Sequence, residues 1–330
     1  MSWPGFRSWF GDASGTAARL RASIAVCGLV LATAGLIAGG ANPANSALPP
    51  KPEQSYYMAV EAPGQGTVHL YAEEFGKGRP ILLLHGLGAS MFTWRNLIPE
   101  LSRNNRVIAI DLKGFGKSEK PFTQAYTPYD HANVVLAFIR KRGLKHATII
   151  GHSFGGAIGL LATLRLNETD PEAVRDLVLM NAPAYEQPGT AFVGFMKTPV
   201  VPYVALMLSP PEFSTWLSLD KVQADRLSFE ELRGYAEPFY DAAARHALIT
   251  TARRIKPRDV ERLTARYPSV KQPTLVIWCE NDRTVPLDTG LKLVKELPRA
   301  RMKVLSDCGH VPQDERPEAV LQLIGKFLKN

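Results

Sequence analysis

The stretch that decides the fold is Ile149-Ile150-Gly151-His152-Ser153-Phe154-Gly155-Gly156, where a short apolar run passes through Gly-x-Ser-x-Gly into a helical segment over residues 157–166. So sharp a turn from strand to helix strains the backbone of the serine, and a Cβ at position 151 or 155 would collide with the crossing backbone. The pattern therefore predicts a nucleophile elbow, which holds the Ser153 hydroxyl at the carboxyl edge of a sheet.

Apolar runs and helical segments alternate on both sides of this elbow. Residues 57–61 and 67–74 flank Pro63-Gly64-Gln65-Gly66, which predicts a β-hairpin. The runs that we expect to form further strands cover residues 80–85, 107–110, 177–180, 274–279 and 302–305. Helices are expected over residues 91–101, 128–142 and 317–328. This order predicts an α/β fold with a mostly parallel, doubly wound sheet, which binds its ligands at the carboxyl ends of the strands.

The alternation stops between residues 184 and 255, where the sequence is helical, apolar and broken by prolines. An insertion of this kind between two strands predicts a helical lid. The 330 residues therefore divide into four parts, namely an N-terminal segment at 1–47, the first part of the core at 48–183, the lid at 184–255 and the second part of the core at 256–330.

The N-terminal segment has the features of an export signal. Arg19 and Arg21 precede an apolar run over residues 24–38, and small, turn-forming residues follow it. The run is shorter than the roughly 20 residues that span a bilayer comfortably. We therefore expect an exported protein, either periplasmic or secreted, with an uncleaved membrane anchor over residues 24–40 as the alternative, since the segment before the run is long.

Charge and motif spacing exclude several classes of ligand. The net charge is +8, but the basic residues are scattered and have no interleaved aromatic pattern, so nucleic acid is not an expected partner. Weak attraction to anionic lipid remains open. Gly116-Lys117-Ser118 is not a phosphate loop, because Asp111 occupies the position where that loop needs a glycine. The His and Cys spacings match no zinc pattern, so we expect neither a metal nor a cofactor.

A serine hydroxyl is a weak nucleophile at neutral pH, so it needs a base beside it and an acid that orients the base. Asp282 follows the predicted strand at 274–279, and His310 follows the last predicted strand. The order Ser, Asp, His is the one expected after this elbow. Asp282 could instead cap a helix, and Glu280 could replace it as the acid. Six other histidines compete with His310, but none of them follows a late strand.

The same motif predicts where an oxyanion would be bound. The two N–H donors are expected from Phe154, which follows the nucleophile, and from Leu87, in the loop after the strand at 80–85. In the lid, an apolar stretch contains the residues that we predict to line an acyl pocket, namely Phe192, Phe195, Met196 and Met207. These side chains could alternatively pack the lid on the core, and the stretch could touch a membrane or lipid interface.

Five motifs together resemble the α/β-hydrolase superfamily over nearly all of the chain after residue 47. They are His85-Gly86-Leu87-Gly88, Asp111-x-x-Gly114-x-Gly116-x-Ser118, the elbow, Asn281-Asp282-x-x-Val285-Pro286 and Gly309-His310-x-Pro312. The resemblance implies a lid-bearing serine esterase or lipase-like hydrolase that needs no cofactor and cleaves small apolar esters. It gives no indication of the oligomeric state.

Other members of the superfamily remain alternatives. Carbon–carbon bond hydrolases of aromatic ring cleavage usually have Asn where His152 stands and Gly-Pro-Gly where Ala89-Ser90 follows the His-Gly motif, so they rank second. Members with a nucleophilic aspartate are disfavoured because position 153 is Ser. Cofactor-free haloperoxidases and acyltransferases stay open. A catalytically silent binding protein is the alternative of another class, although such proteins more often have a broken triad.

Cys279 and Cys308 lie at the ends of the last two predicted strands, three residues before Asp282 and two before His310. If those strands are neighbours, their separation of about 4.8 Å is compatible with the Cα distance of about 4.4 to 6.8 Å that a disulfide needs. An oxidising compartment would permit the bridge. Two buried free thiols are the alternative, because side chains on adjacent strand ends can point to opposite faces.

Overall fold

The computed structural model describes residues 50–186, 191–219, 223 and 227–329. The predicted export signal or membrane anchor therefore lies outside the described residues. All the strands predicted from the sequence are present, and they form an eight-stranded sheet within this part of the chain.

The sheet is parallel except at one edge. β1 (Gln54–Ala62) and β2 (Gly66–Phe75) form the predicted antiparallel hairpin, and β2 also pairs antiparallel with β4 (Asn105–Ile110). The parallel strands that continue from β4 are β3 (Arg79–Leu84), β5 (Ala147–His152), β6 (Val174–Met180), β7 (Thr274–Cys279) and β8 (Ala300–Leu305). The spatial order is β1-β2-β4-β3-β5-β6-β7-β8, so the elbow strand β5 lies in the middle.

Helices cover both faces of the sheet. All six residues of β5 and of β7 are buried, as their continuous apolar sequences require. One face packs against α2 (Pro128–Lys141) and α3 (Phe154–Thr169), and the opposite face packs against α12 (Pro317–Leu328). β8 is the strand at one edge and alternates between exposed and partly exposed residues.

The segment over residues 91–101 departs from the single amphipathic helix that we expected. It forms a 3-10 turn at Met91–Trp94, followed by the separate short helix α1 (Ile98–Leu101). The hydroxyl of Ser90 caps the turn by accepting a hydrogen bond from the N–H of Phe92. Pro99 then explains the break, because proline lacks the N–H that a continuous helix needs but fits the first turn of a new one.

A group of helices between β6 and β7 covers the region predicted as the lid, residues 184–255, and extends beyond it to residue 264; we call this group the cap. Its members are α4 (Ala191–Lys197), α5 (Val201–Leu208), α6 (Pro211–Leu219), α7 (Phe229–Ala236), α8 (Ala242–Arg254) and α9 (Val260–Thr264). The helix α10 (Leu287–Glu296) lies between β7 and β8, and the short α11 (Pro312–Glu315) follows β8. Among the described helices, none is by itself long and apolar enough to cross a bilayer; α4 and α5 pass that test as a pair, but they are bent by 107°.

Candidate active site

The turn between β5 and α3 has the geometry that the elbow sequence predicts. Ser153 adopts φ 50° and ψ −122°, a conformation with positive φ that is strained for any residue with a side chain. A Cβ on Gly155 would lie 2.2 Å from the carbonyl oxygen of Leu84, and one on Gly151 would lie 2.6 Å from that of Gly155. The glycines are therefore required by the close approach of β3 and α3 to this turn.

The structure brings the three residues predicted as a triad into one hydrogen-bonded row. Ser153 Oγ lies 2.9 Å from His310 Nε2, and His310 Nδ1 lies 2.8 Å from Asp282 Oδ2. When Nδ1–H donates to the carboxylate, the Nε2 lone pair accepts the hydrogen bond from the Ser153 hydroxyl. Glu280, the alternative acid, is exposed and accepts a hydrogen bond from the Asp307 N–H instead.

Asp282 is held as a carboxylate although it is buried. Burial by itself raises the pKa of Asp282, but the charge of His310 and several hydrogen bonds outweigh it and leave the pKa below its ordinary value. The second carboxylate oxygen accepts hydrogen bonds from the N–H groups of Thr284 and Val285, at 2.7 and 2.9 Å. The side chain therefore has a fixed orientation and a fixed charge opposite His310.

Asn181 is a site residue that the sequence reasoning missed. It follows β6 directly, in the left-handed conformation at φ 47°, and its Nδ2 donates to Asp282 Oδ2 at 2.6 Å. Asn adopts this conformation more readily than most residues, and its position at a strand end was the available signal. Asn181 thus supports the same carboxylate oxygen that His310 contacts.

Two further residues fix the backbone around His310. His152 Nε2–H donates to the His310 carbonyl oxygen at 2.7 Å, and Glu315 accepts hydrogen bonds from the N–H groups of Gly309 and Val311 at 2.8 and 2.9 Å. Burial, together with the neighbouring charge of His310, lowers the pKa of His152 to about 3, so this ring stays neutral. Glu315 lies five residues beyond His310 on α11, a spacing that carries no recognisable sequence signal.

The predicted oxyanion donors lie beside the nucleophile. Phe154 is the first residue of α3, and Leu87 belongs to the loop after β3. That loop passes close to the serine, because a Cβ on Gly86 would lie 3.3 Å from Ser153 Cβ. Within the described residues, neither the N–H of Leu87 nor that of Phe154 donates a hydrogen bond. Both donors are thus available, and their binding of an oxyanion remains a prediction.

His85 and Asp111 organise the loops around the site. His85 Nε2 accepts the N–H of Leu112 at 2.9 Å, and burial lowers the pKa of His85 to about 4. The Asp111 carboxylate accepts the N–H of Lys117 at 2.7 Å, and a Cβ on Gly116 would lie 2.1 Å from this carboxylate. The Asp-x-x-Gly-x-Gly-x-Ser motif is therefore a loop built around its own aspartate.

The four cap residues predicted to line an acyl pocket do not share one environment. Met196 is only 2% exposed and belongs to the hydrophobic core, and Phe192 packs against the same core. These two fit the alternative that the lid packs on the core. Phe195 is 38% exposed and Met207 is 65% exposed, so both side chains are open to solvent, and their place in an acyl pocket stays a prediction. The all-apolar sequence of α5 could not reveal which side faces water.

A disulfide joins Cys279, at the end of β7, to Cys308, after β8. The Cα atoms are 5.2 Å apart, so of the two possibilities that the sequence left open, a bridge or two buried thiols, the structure contains the bridge. The bridge fixes the segments that carry Asp282 and His310 relative to each other.

Replacing both cysteines by alanine is expected to lower the free energy of unfolding by about 3 to 4 kcal/mol. The bridge closes a loop of 29 residues, and its loss restores that much conformational entropy to the unfolded chain. Urea unfolding at equilibrium measures the change. Reduced wild-type protein is the matched control, because it loses the bridge but keeps the side chains. Equal midpoints for oxidised protein, reduced protein and variant would contradict the prediction.

Comparison with known proteins supports one family for this architecture. A family model described as alpha/beta hydrolase fold matches residues 79–317. An uncharacterized hydrolase, YugF, of Bacillus subtilis is 32% identical over 273 residues, which cover 79% of this chain and 95% of that protein. The 2-hydroxymuconate semialdehyde hydrolase of a Pseudomonas species is 32% identical over 281 residues, 77% of this chain and 88% of the relative.

A solved structure is also similar to this chain. The meta-cleavage product hydrolase CumD from Pseudomonas fluorescens superposes with a TM-score of 0.68 at 25% identity, covering 82% of this chain and 97% of its own.

Among the described residues, no group of three or more His, Cys, Asp or Glu side chains could hold a metal ion.

Proposed function

We propose, from the premise that this chain belongs to the α/β-hydrolase family of enzymes, that it is a serine hydrolase with Ser153, His310 and Asp282 as its catalytic triad. The observation that carries the proposal is the hydrogen-bonded row from Ser153 Oγ through the His310 imidazole to the Asp282 carboxylate. The row begins at a residue held in a strained backbone conformation between strand and helix.

The geometry supports a two-stage reaction. His310 Nε2 takes the hydroxyl proton as Ser153 Oγ attacks the substrate carbonyl carbon, and the N–H groups of Leu87 and Phe154 stabilise the oxyanion. The imidazolium then returns its proton to the leaving group as an acyl-enzyme forms. A water molecule, deprotonated by the same imidazole, then attacks the acyl carbon. The bond from that carbon to Ser153 Oγ breaks, the imidazolium returns its proton to Oγ, and the carboxylic acid leaves. Asp282 holds the imidazole in the required orientation throughout.

The substrate class that the residues favour is a carboxylic ester with an apolar acyl group. An acidic substrate would need a cationic partner, and two arginines that contact the cap are already engaged. Arg253 donates to the carbonyl oxygens of Met196 and Thr198, and Arg95 is buried in ion pairs with Asp314 and Glu231. An uncharged apolar ester needs neither arginine.

Carbon–carbon bond hydrolysis is the second candidate, and the names of the relatives favour it over the first. One relative at 32% identity is named for 2-hydroxymuconate semialdehyde, and CumD is named for meta-cleavage products. The same triad can serve that reaction. His152 and Ala89-Ser90 argue against it, because they replace residues usual in those hydrolases, and the His152 side chain supports His310 here.

Export is part of the proposal. A disulfide such as Cys279–Cys308 persists mainly in oxidising compartments, which supports an exported enzyme, with the membrane-anchored form as the alternative.

A fluorophosphonate probe followed by two substrate sets tests the proposal. The probe is expected to label Ser153, as peptide mapping by mass spectrometry would show, because it reacts with serines activated by a neighbouring base. p-Nitrophenyl esters of increasing acyl length are then compared with 2-hydroxymuconate semialdehyde by kcat/KM. If the semialdehyde is turned over and the esters are not, carbon–carbon bond hydrolysis is supported instead of ester hydrolysis. If folded protein is not labelled at Ser153, the proposal of a serine hydrolase is wrong.

A further inference from the structure

The outer side of the cap carries a continuous exposed apolar strip. Along α5 and the residue before it, exposed side chains recur at intervals of three and four residues, which places them on one face of the helix. We call this face the apolar cap surface; it consists of Val200, Val201, Val204, Met207 and Leu208, which are 42 to 66% exposed. Tyr203, Trp216 and Leu217 are also exposed on α5 and α6.

Charge is almost absent from this part of the sequence. Between residues 191 and 211 the one charged side chain is Lys197, which is exposed at the end of α4. Arg253 lies beside it and donates to the carbonyl oxygen of Thr198. Contacts between soluble proteins usually have charged rims and mixed surfaces. A surface strip without charge, with the Lys197 ammonium at one edge, fits apolar lipid chains beneath anionic phosphates better.

The helices are too short to span a membrane but suited to lie on one. The eight residues of α5 extend about 12 Å, against about 30 Å for the hydrocarbon core of a bilayer. The bend of 107° between α4 and α5 also rules out one continuous span. Tyr203 and Trp216 have the amphipathic rings that settle at the level of lipid headgroups.

We propose that the apolar cap surface docks on the face of a lipid bilayer that contains anionic lipids. α5 lies in the plane of the interface, its exposed face enters the boundary between headgroups and acyl chains, and the exposed Lys197 faces lipid phosphates. This contact is independent of the reaction at Ser153, and it is separate from any membrane insertion of residues 24–40.

Quenching of Trp216 fluorescence by brominated lipids tests the docking locally. Vesicles of phosphatidylcholine and phosphatidylglycerol carry the bromine atoms, and the signal of Trp216 is the difference between wild type and Trp216→Phe. Trp94 and Trp278 are fully buried, and tryptophans in the N-terminal segment contribute equally to both proteins. We expect quenching of the Trp216 signal, which weakens when phosphatidylglycerol is omitted or salt is added.

Val204→Ser combined with Leu208→Ser removes two apolar side chains from the docking face. Partitioning onto the vesicles is expected to weaken about tenfold or more, since each lost side chain removes apolar burial in the interface. Leu291→Ser is the matched control, because Leu291 is 41% exposed on α10, outside the cap. Circular dichroism melting checks that each variant is folded. These measurements use no catalytic readout, so they remain valid if the proposed reaction is wrong.

Two outcomes would overturn the docking proposal. The first is an unquenched Trp216 signal in wild type, or equal losses of partitioning in the cap double variant and in Leu291→Ser. The second is a dimer of wild type that the cap double variant converts to monomer, without any quenching by lipid. That result would assign the apolar cap surface to contact with a second copy of the chain.

Discussion

A Ser153→Ala variant is expected to lose about 10⁴- to 10⁶-fold in kcat while its KM changes little. The substitution removes the atom that forms the covalent intermediate, so His310 and Asp282 have no nucleophile to activate. The N–H groups of Leu87 and Phe154 remain in place. Alanine keeps a Cβ at the same strained position, so the fold should be preserved. Steady-state kinetics on the best ester measures the loss.

Ser269→Ala is the matched control for the same chemical change. Ser269 is exposed in the second part of the core, and its hydroxyl donates only to the Arg266 carbonyl oxygen, so its kcat is expected to equal that of wild type. Labelling by the fluorophosphonate probe should disappear in Ser153→Ala and persist in Ser269→Ala. A Ser153→Ala protein that keeps wild-type turnover would refute the assignment of the nucleophile.

An Arg95→Met variant is expected to lower the free energy of unfolding by about 3 to 5 kcal/mol. The Arg95 side chain is fully buried, and its two terminal nitrogens contact Asp314 and Glu231 at 2.9 and 2.6 Å. Tyr235 also donates to Asp314. Methionine fills part of the volume but leaves buried carboxylates without their cation. Chemical denaturation with urea measures the loss.

The loss should depend on pH in a defined direction. Burial, opposed by the charge of Arg95, raises the pKa of Asp314 to about 6 from 3.8. Between pH 3.8 and about 6, Asp314 binds more protons in the folded than in the unfolded protein. Its contribution therefore lowers the free energy of unfolding increasingly as the pH rises through this range. Removing Arg95 raises the pKa of Asp314 further. In the variant, the loss in the free energy of unfolding caused by Asp314 therefore continues to grow above pH 6. We therefore expect a larger deficit at about pH 8 than at about pH 5.

Arg103→Met is the control for this prediction. Arg103 is 71% exposed and pairs with Glu100, so its removal should cost less than about 1 kcal/mol. Hydrogen exchange gives an independent readout, because the Arg95 network joins two helices. Glu231 and Tyr235 lie on α7 in the cap, and Asp314 lies on α11, which follows His310 in the chain. Faster exchange of α7 amides in Arg95→Met alone would show that this buried network fastens the cap to the core. Equal, small effects of both substitutions would contradict the prediction.

The sequence predicted the strands and the triad because both depend on local signals. A continuous apolar run such as β7 has little alternative to a strand buried on both faces, and the residues that follow such strands must meet at one edge. Long-range partners were missed. Asn181 follows β6 directly, which could have marked it as a site residue, but its partner Asp282 lies 101 residues further along the chain. Glu315 acts around a turn on the N–H groups of Gly309 and Val311, and nothing in its immediate neighbours indicates those contacts.

One wrong prediction and one environment that the sequence left undetermined both have local physical causes. The single helix expected over residues 91–101 ignored Pro99, which starts a new helix, and the cap of the 3-10 turn by Ser90. The environment of Met207 could not be derived from pattern, because every residue of α5 is apolar and periodicity then carries no information about the side that faces water.

The position of His310 has a consequence for how the enzyme fails on heating. His310 follows β8, an edge strand that pairs with a neighbouring strand on one side only, so the end of β8 should fray more readily than the ends of the central strands. The Cys279–Cys308 bridge ties that end to the fully buried β7. Thermal inactivation should therefore coincide with global melting in the oxidised enzyme, whereas the reduced enzyme should lose turnover at temperatures where most of its helices still persist.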